Sequence, residues 1–332
     1  EAQPEGHRLK GVSTLISGDG RILTQWLKTD TRAESREEFL QRLLGELPER
    51  VTPREETVPA PALDAEADDL LAVYPIGDHH VGMLSWRPET GAQWDLRRAD
   101  RMLRAAFDHL ASAGPRCAEA LLINLGDFFH ANDLTNRTPQ NSHALDVDGR
   151  LPKVYRTGAE ALIHAVDRLL ENHRTVRVWN VPGNHDPLLS IMVSVALELY
   201  YAREPRVIVQ PTAAAHYFHR HGAVMLAATH GDGPKVRDLP GMMASVQPDM
   251  WGATRWRYCY RGHVHHHESE ERHGAVVETF QTLAPADAYA AKLGYGGTQR
   301  SLHRIVHHRV WGPGPRTQVS AAYLERLLDD AA

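Results

Sequence analysis

The sequence predicts a mixed α/β fold in which a β-sheet is flanked by helices. Three short apolar runs are expected to be strands, at residues 71–76, 121–125 and 176–181. Each run is followed by a stretch with apolar residues at helical spacing, over residues 95–112, 156–173 and 188–203. Three strand–helix units in succession are typical of a sheet with helices packed against it.

The second half of the chain is richer in predicted strands. They are expected at residues 206–209, 215–219, 224–228, 258–261 and 275–280. A helix or loop at 235–246 interrupts them.

The N-terminal residues have a different character and are expected to form a small separate module. Residues 11–28 alternate around Gly18-Asp19-Gly20, which predicts a β-hairpin. Residues 33–47 have helical spacing, and residues 48–69 are rich in proline and acids, as in an extended linker. We therefore predict a hairpin-plus-helix module at 1–47, a linker at 48–69 and a main domain at 70–332. The module's helix is a candidate surface for a homo-oligomer.

Composition limits the class of protein. With 332 residues, 42% of them hydrophobic, the chain can bury a core without disulfides. Cys117 and Cys259 are its only cysteines, which suits a reducing cytosol and excludes a thiolate zinc site. No apolar run approaches the ~20 residues of a membrane helix, so we expect a cytoplasmic protein without a membrane partner. The net charge of −5 provides no global basic field, which counts against a DNA substrate.

Short polar clusters follow the predicted strands, and many of the chain's 21 histidines lie in them. The clusters are Asp78-His79-His80, Gly126-Asp127, Gly183-Asn184-His185-Asp186, Thr229-His230-Gly231-Asp232 and Gly262-His263-Val264-His265. In open α/β folds, ligands bind at the carboxyl edge of the sheet, where strand ends converge. Carboxylates and imidazoles gathered there need neutralisation, and two divalent cations would provide it.

The spacing within the clusters suits metal binding. In an extended segment, Asp-x-His and His-x-His place both side chains on one face. Mixed oxygen and imidazole ligands favour manganese, iron or zinc over calcium. The same residue types are also ordinary turn formers beside glycine. Turn formation alone, however, predicts no particular order of histidines along the chain.

The order D-x-H, G-D, G-N-H-D, H and G-H-x-H resembles the calcineurin-like metallophosphoesterase superfamily, especially its prokaryotic and phage-encoded repair-nuclease-like members. The match spans residues 78–265. The resemblance implies a four-layer α/β sandwich, two β-sheets flanked by helices. It also implies two divalent metal ions, with manganese expected and iron, zinc or magnesium as alternatives.

The resemblance further implies a role for each motif residue. Asp78, His80 and His265 would hold the first metal, Asn184, His230 and His263 the second, and Asp127 would bridge them. His185 would contact the substrate phosphate and assist the leaving group, and Asp186 would orient the His185 ring. The ions, ~3.5–4 Å apart, would share a hydroxide that attacks phosphorus.

Two features of the motifs depart from parts of the family. Many members have a second aspartate three residues after the first in G-D-x-x-D, where this chain has His130, which is expected near the substrate. The protein phosphatase branch reads G-D-x-V-D-R-G and G-N-H-E. This chain has neither that arginine nor that glutamate, which argues against phosphoserine or phosphothreonine substrates.

Three functions follow from the sequence. The first is a phosphodiesterase that cuts nucleic acid, and the second is a hydrolase of small nucleotides such as a cyclic nucleotide or a monoester. The third, a metal-bound scaffold, is disfavoured because the ligand set and His185 are intact. The nuclease needs basic contacts, for which the candidates are Arg255, Arg257, Arg261, Arg300 and Arg304.

Two basic segments have a simpler interpretation. Residues 251–261 can stack bases, but a strand that packs its aromatic side chains into the core is favoured. The run from Arg300 to Arg309 is either a basic rim or an ordinary solvated face.

Overall fold

The computed structural model describes residues 7–31, 51–55, 57, 59–294 and 297–330. The chain divides into two compact units, Glu1–Leu47 and Pro48–Ala332. Within the described part of the smaller unit, His7–Ile16 and Ile22–Thr31 pair as an antiparallel hairpin, which confirms the hairpin predicted at 11–28. The helix predicted at 33–47 lies outside the described residues.

The elements have the following bounds. The strands are His7–Ile16 (β1), Ile22–Thr31 (β2), Leu70–Ile76 (β3), Glu119–Asn124 (β4), Thr175–Asn180 (β5), Val207–Val209 (β6), Tyr217–His221 (β7), Val224–Ala228 (β8), Trp256–Arg261 (β9), Glu268–Arg272 (β10), Ala275–Thr279 (β11), Ser301–His308 (β12) and Gly312–Ser320 (β13). The helices are Arg87–Thr90 (α1), Leu96–Leu110 (α2), Leu151–Leu170 (α3), Leu189–Tyr200 (α4), Leu239–Val246 (α5), Pro248–Gly252 (α6), Ala288–Lys292 (α7) and Ala321–Asp330 (α8).

Two sheets make up the larger unit. The first has six strands in the order β13-β12-β3-β4-β5-β6, and the second has five in the order β10-β11-β9-β8-β7. β3, β4, β5 and β6 run parallel, as the strand–helix units predicted, whereas β12 joins β3 antiparallel. In the second sheet, β8, β9 and β11 are parallel and β7 and β10 close the edges antiparallel.

The main core lies between the two sheets. Alternate residues of β3, Leu71 and Val73, are buried in one cluster with Leu121 of β4 and with Tyr258 and Tyr260 of β9. Since side chains alternate across a strand, the intervening residues of each sheet face outward to the helices.

Helices cover the outer faces of both sheets. Behind the first sheet, Tyr74 of β3 meets Phe107 of α2, with ring centroids 6.0 Å apart. Behind the second sheet, Leu239 and Met243 of α5 pack in a cluster with Met225 of β8. The layers are therefore helix, sheet, sheet and helix, which confirms the expected four-layer sandwich.

The segment 48–69 contacts the body of the larger unit. The backbone N–H of Arg54 donates to the carbonyl of Tyr200 at 2.8 Å, and its guanidinium pairs with Asp167. These contacts attach part of the expected linker to the core, while the boundaries 1–47, 48–69 and 70–332 stay a prediction. Within the ranges described above, no helix has the length and apolar character needed to cross a membrane.

Candidate metal centre

The five polar clusters follow β3, β4, β5, β8 and β9, so the two sheets bring them to a common edge. Hydrogen bonds connect the loops just beyond the strand ends. Leu125 donates its N–H to the carbonyl of Ile76, and Gly262 donates to the carbonyl of His230, both at 2.9 Å. Because the strands on each side run parallel, their carboxyl ends converge there, as the sequence predicted.

Asp78, His80 and His265 form the first group of candidate ligands. The Oδ1 atom of Asp78 lies 3.4 Å from Nε2 of His265, and Nε2 of His80 lies 3.3 Å from the same nitrogen. Asp78 is fully buried and His80 is 3% exposed. One ligand atom from each residue lies within 4.8 Å of the others, close enough to surround one cation.

The second group contains Asp127, His230 and His263, with Asn184 beside it. The Oδ2 atom of Asp127 is 3.3 Å from Nε2 of His230, and Oδ1 of Asn184 is 3.0 Å from the same nitrogen. His263 completes a set of ligand atoms that lie within 4.8 Å of one another. All seven sequence-predicted ligands are therefore brought to one place, and their metal-binding role stays a prediction.

Asp127 belongs to the second group and also contacts the first, because its backbone carbonyl accepts the N–H of His80 at 3.1 Å. Its other oxygen, Oδ1, accepts a hydrogen bond from the N–H of His185 at 2.7 Å. The charge of Asp127 acts on His80 in the first group as well as on His230 in the second. This is the position that a bridging carboxylate requires.

The donor set fits a pair of divalent cations. Within the part of the chain that the structure describes, Asp78 and Asp127 have no lysine or arginine partner, although both are buried. Burial alone would lower the pKa of His230, but the carboxylate of Asp127 raises it to about 10. Protonated imidazole thus balances the buried carboxylate, and a divalent cation supplies the same positive charge. Oxygen and imidazole donors together suit manganese, iron or zinc.

The backbone at the site is held in the left-handed region at non-glycine residues. Among the described residues this region contains eight non-glycine positions, of which five are Asp78, His80, Asp127, His263 and His265. Such conformations cost of order 1–3 kcal/mol each and cluster at functional sites. The Asp-x-His and His-x-His motifs are therefore not the extended segments that the sequence analysis assumed, and turns with positive φ bring their side chains together.

Close packing at two glycines holds the carboxylates in place. A Cβ on Gly183 would collide with Oδ1 of Asp127, and one on Gly262 would collide with Oδ2 of Asp78. The N–H of His263 donates to Oδ2 of Asp78 at 2.8 Å. Glycine therefore allows backbone from one loop to lie directly against the ligand of another.

His185 stands beside the ligands, at the solvent-accessible side of the centre. Its side chain is 16% exposed, and its Nε2 lies 4.0 Å from Oδ2 of Asp127. Its Nδ1 lies 2.9 Å from the carbonyl oxygen of His130, which acts as an acceptor. The Nδ1–H tautomer that this bond selects leaves Nε2 free for a group above the metals.

His130 forms a third imidazole group with His80 and His185. Its Nδ1 is 3.3 Å from Nδ1 of His80, and its ring stacks on that of His185 at a centroid distance of 5.3 Å. It is buried, and its Nε2 has no hydrogen-bond partner. His130 was expected near the substrate, without a definite role, because it stands three residues after Asp127.

Asp186 has a different role from the one implied by the resemblance. Its carboxylate accepts the backbone N–H groups of Asp127, Phe129 and Gly183 at 3.0–3.1 Å. The ring of His185 is oriented by the His130 carbonyl instead. Burial and then the charge of Asp127 raise the pKa of Asp186 to about 6. Asp186 therefore fixes the loops that carry the ligands rather than the imidazole.

Most of the candidate basic contacts do not lie at the metal edge. Arg257 lies near the start of β9, whereas His263 follows its end, about 3.3 Å per residue further on. Its guanidinium covers Trp251 at 4.2 Å and donates to the carbonyls of Trp251 and Gly274. Arg255 stacks on Trp256 at the same far end of the strand. Arg255 and Arg257 therefore do not lie at the metal edge, which their candidacy as nucleic-acid contacts required.

The C-terminal arginines are also structural. Arg304 is 2% exposed, donates to the hydroxyl of Tyr74 and belongs to the buried strand β12. Arg300 pairs with Glu325 at 2.9 Å. The run 300–309 is therefore neither a basic rim nor a solvated face. Of the five candidates, Arg261 contacts a ligand-bearing loop, where it donates to the carbonyl of Gly231 at 3.1 Å. Arg300 also lies toward this edge, because it donates to the carbonyl of Leu283 at 2.9 Å, next to Thr282, which contacts Asp78.

The structure has the architecture that the resemblance to the calcineurin-like metallophosphoesterases implies. No protein-family model matches the chain, and no curated protein matches it.

Solved structures with a similar fold include a conserved uncharacterised protein, a predicted phosphoesterase, from Streptococcus pneumoniae. It is 12% identical, with 78% of this chain and 99% of the other covered and a TM-score of 0.30. Vps29 complexed with zinc, from Entamoeba histolytica, is 13% identical over 75% and 99% of the two chains, with a TM-score of 0.31. PhoD is 10% identical over 80% and 70%, with a TM-score of 0.36. Because these identities and TM-scores are low, the functional argument rests on the arrangement of the site itself.

Proposed function

We propose that this protein is a binuclear metal-dependent phosphodiesterase that acts on nucleic acid. The observation that carries the proposal is the pair of ligand groups at one sheet edge, the second of which contains Asp127. When bound, two divalent cations activate a water molecule and stabilise charge on the phosphate oxygens.

The residues around the ligands support hydrolysis rather than simple metal storage. His185 presents its Nε2 beside Asp127 at the accessible side, where an imidazolium Nε2–H would give its proton to the leaving oxygen of a phosphate ester. The carbonyl of His130 holds that ring in place through Nδ1. A storage site has no need for an oriented imidazole that is not itself a ligand.

The charge of the site favours a diester over a monoester. A monoester at pH 7 carries a charge of about −1.5 to −2, whereas a diester carries a single negative charge. Among the described residues, the cations near the ligand loops are already engaged: Arg261 is 7% exposed and donates to the carbonyl of Gly231, and Arg300 pairs with Glu325. Beyond the metals, little positive charge is available for a second negative charge on the substrate.

A small nucleotide is the second candidate substrate. The observation that favours it is the position of Arg255 and Arg257 at the far end of β9, because a long polynucleotide gains much of its affinity from backbone phosphates.

The test is a substrate panel with manganese-loaded protein and Asp127→Ala as the inactive control. The panel contains bis(p-nitrophenyl) phosphate, p-nitrophenyl phosphate, single- and double-stranded DNA, RNA and cyclic nucleotides. We expect the diester dye to be hydrolysed faster than the monoester dye, and DNA or RNA to be cut. Turnover of cyclic nucleotides or of monoesters alone would replace nucleic acid by the second candidate, and hydrolysis of none of these esters would contradict both.

A further inference from the structure

We propose that a pocket between α1 and α7 binds the nucleobase next to the reacting phosphate, with Trp86 as its stacking surface. This inference rests on the proposed phosphodiesterase function and names a specificity-determining residue for it.

The pocket has the size and wall of a small-molecule subsite. Its volume is about 680 Å³, within the range of ~300–1,000 Å³ typical of ligand pockets. Its apolar wall is formed by Leu84 and Trp86 on one side and by Ala288 and Ala291 of α7 on the other. A flat ring fits between two such walls better than a sugar or a phosphate.

Two chain segments connect this pocket directly to the metal centre. On one segment, the N–H of Met83 donates to the carbonyl of His80 at 3.0 Å, and Leu84 follows Met83. On the other, the hydroxyl of Thr282 donates to the carbonyl of Asp78 at 2.7 Å, and α7 begins six residues later at Ala288.

A further contact joins the two segments at the pocket itself. The Ser85 hydroxyl donates to the carbonyl of Ala286 at 3.0 Å, so the segments lie side by side there. A substrate whose phosphate lies on the metals therefore has this pocket as a neighbouring site.

The aromatic side chains of this region are exposed. Trp86 is 55% exposed and Tyr289 of α7 is also 55% exposed, while Leu84 is 38% exposed. Within the described residues, Trp86 has no ring or cation stacked on its indole, whereas Tyr289 contacts His143 at 5.4 Å. Exposed apolar side chains grouped beside a catalytic centre are a sign of binding, unlike single exposed residues.

The polar rim of the pocket indicates which part of a nucleotide would enter. Glu89 and Asp146 line it together with Lys292. Two carboxylates would repel a further phosphate but would accept hydrogen bonds from the amine and imide groups of a base. Stacking on an aromatic face tolerates any base, because every base has a π-face. The occupant is therefore a base, and the pocket discriminates weakly among bases.

The test compares two esters that have the same leaving group. Hydrolysis of thymidine 5′-(p-nitrophenyl) phosphate and of methyl p-nitrophenyl phosphate breaks the same phosphorus–oxygen bond: water adds to phosphorus and p-nitrophenolate leaves. With manganese-loaded protein, we expect Trp86→Ala to lower kcat/KM for the thymidine ester by about 5- to 100-fold, the usual range for one lost stacking contact. The methyl ester should be unaffected.

Two further variants control for structural damage. Trp86→Phe keeps a stacking surface and should restore most of the preference for the thymidine ester. Trp311, which is 70% exposed in the turn between β12 and β13, gives a matched control, and Trp311→Ala should change neither rate. Equal effects of Trp86→Ala on both esters, or none on either, would overturn the proposal.

Failure of the proposed function is distinguishable from failure of the pocket. If the wild-type protein hydrolyses neither ester, the phosphodiesterase is wrong. Binding of thymidine 5′-monophosphate by equilibrium dialysis, compared with inorganic phosphate, then still tests the pocket. We expect Trp86→Ala to weaken binding of the nucleotide and not of phosphate, and equal binding by both proteins would contradict it.

Discussion

Asp127 shows how one side chain depends on several neighbours. It lies against Gly183, receives the N–H of His185, and its own N–H is held by Asp186. Asp78 is supported similarly by the N–H of His263. Each candidate bridging or terminal carboxylate is therefore oriented before any cation binds, which lowers the conformational entropy that metal binding must offset.

The roles of Asp127 and His185 separate in mutagenesis. Asp127→Ala removes the candidate bridging carboxylate and should lower both metal content and turnover. His185→Ala should leave the metals bound and slow hydrolysis by ~10²–10⁴-fold, the usual range for lost acid–base assistance. Metal analysis and kcat on the same samples check this, and loss of metals from His185→Ala would refute the assignment.

The protonation of His230 predicts how pH affects the metal-free protein. Burial lowers and the Asp127 carboxylate raises the pKa of His230, to about 10, above the ~6.5 of an unfolded histidine. Because the folded pKa is the higher one, this stabilisation is fully present below pH ~6.5 and is lost as pH rises through about 10.

Denaturant unfolding of metal-free protein between pH 6.5 and pH 10 provides the measurement. Other groups also titrate in this window, so the wild type must be compared with His230→Asn. We expect the free energy of unfolding to fall more steeply with pH in the wild type. An equal or shallower decline in the wild type would show that His230 is neutral in the folded protein.

Among the elements, the strands that the sequence analysis missed all lack an alternating apolar pattern. β10 reads Glu268–Arg272 and is almost entirely charged, as an edge strand that avoids further pairing often is. β13 carries glycine and proline, which are tolerated only at such an edge. β12 is buried although histidine and arginine make up half of its residues. Apolar patterning finds strands that face the core, and it misses both exposed edge strands and strands whose burial depends on polar partners.

The site, by contrast, was predictable because its residues follow strands that do have an apolar pattern. Asp78, Asp127 and His263 follow apolar strands, so locating the strand ends located the ligands. The tertiary contacts could not be predicted from the sequence, which is why Asp186 was expected to orient the His185 ring and Arg257 was a candidate for a contact near the metals. Those outcomes depend on which loops meet in space.

Arg257 now predicts a stability effect rather than a binding effect. Its guanidinium donates to backbone carbonyls and covers Trp251, so Arg257→Ala should lower the free energy of unfolding by about 1–3 kcal/mol. Arg255→Ala, at an exposed neighbour, should change it by less than about 0.5 kcal/mol. Denaturant unfolding measures both, and a clear flattening of the salt dependence of DNA cleavage in either variant would contradict the structural role.

At the scale of the whole molecule, the candidate metal centre is formed by the larger unit alone among the described residues. All candidate ligands lie between Asp78 and His265, within Pro48–Ala332. The contacts of Arg54 with Tyr200 and Asp167 belong to that unit as well. The four layers hold two sets of strand ends at one edge, and neither sheet supplies all the ligands.

Truncation tests this division. Removing residues 1–47 should preserve hydrolysis of a small diester dye and the free energy of unfolding. Removing residues 1–60 also removes Arg54 and should lower that free energy by about 1–3 kcal/mol, since Asp167 loses its partner. Unfolding curves and dye assays of both proteins measure this. Loss of folding or of dye hydrolysis on removal of 1–47 would show that the N-terminal module is part of the core.

The central claim is that this edge of the sandwich binds two divalent cations that the reaction requires. Elemental analysis of purified protein, together with diester hydrolysis before and after chelation, tests it most directly. We expect about two divalent ions per chain, loss of hydrolysis on chelation, recovery with manganese, and a lower metal content in Asp127→Ala. Folded protein that hydrolyses the diester with no divalent metal bound would contradict the account.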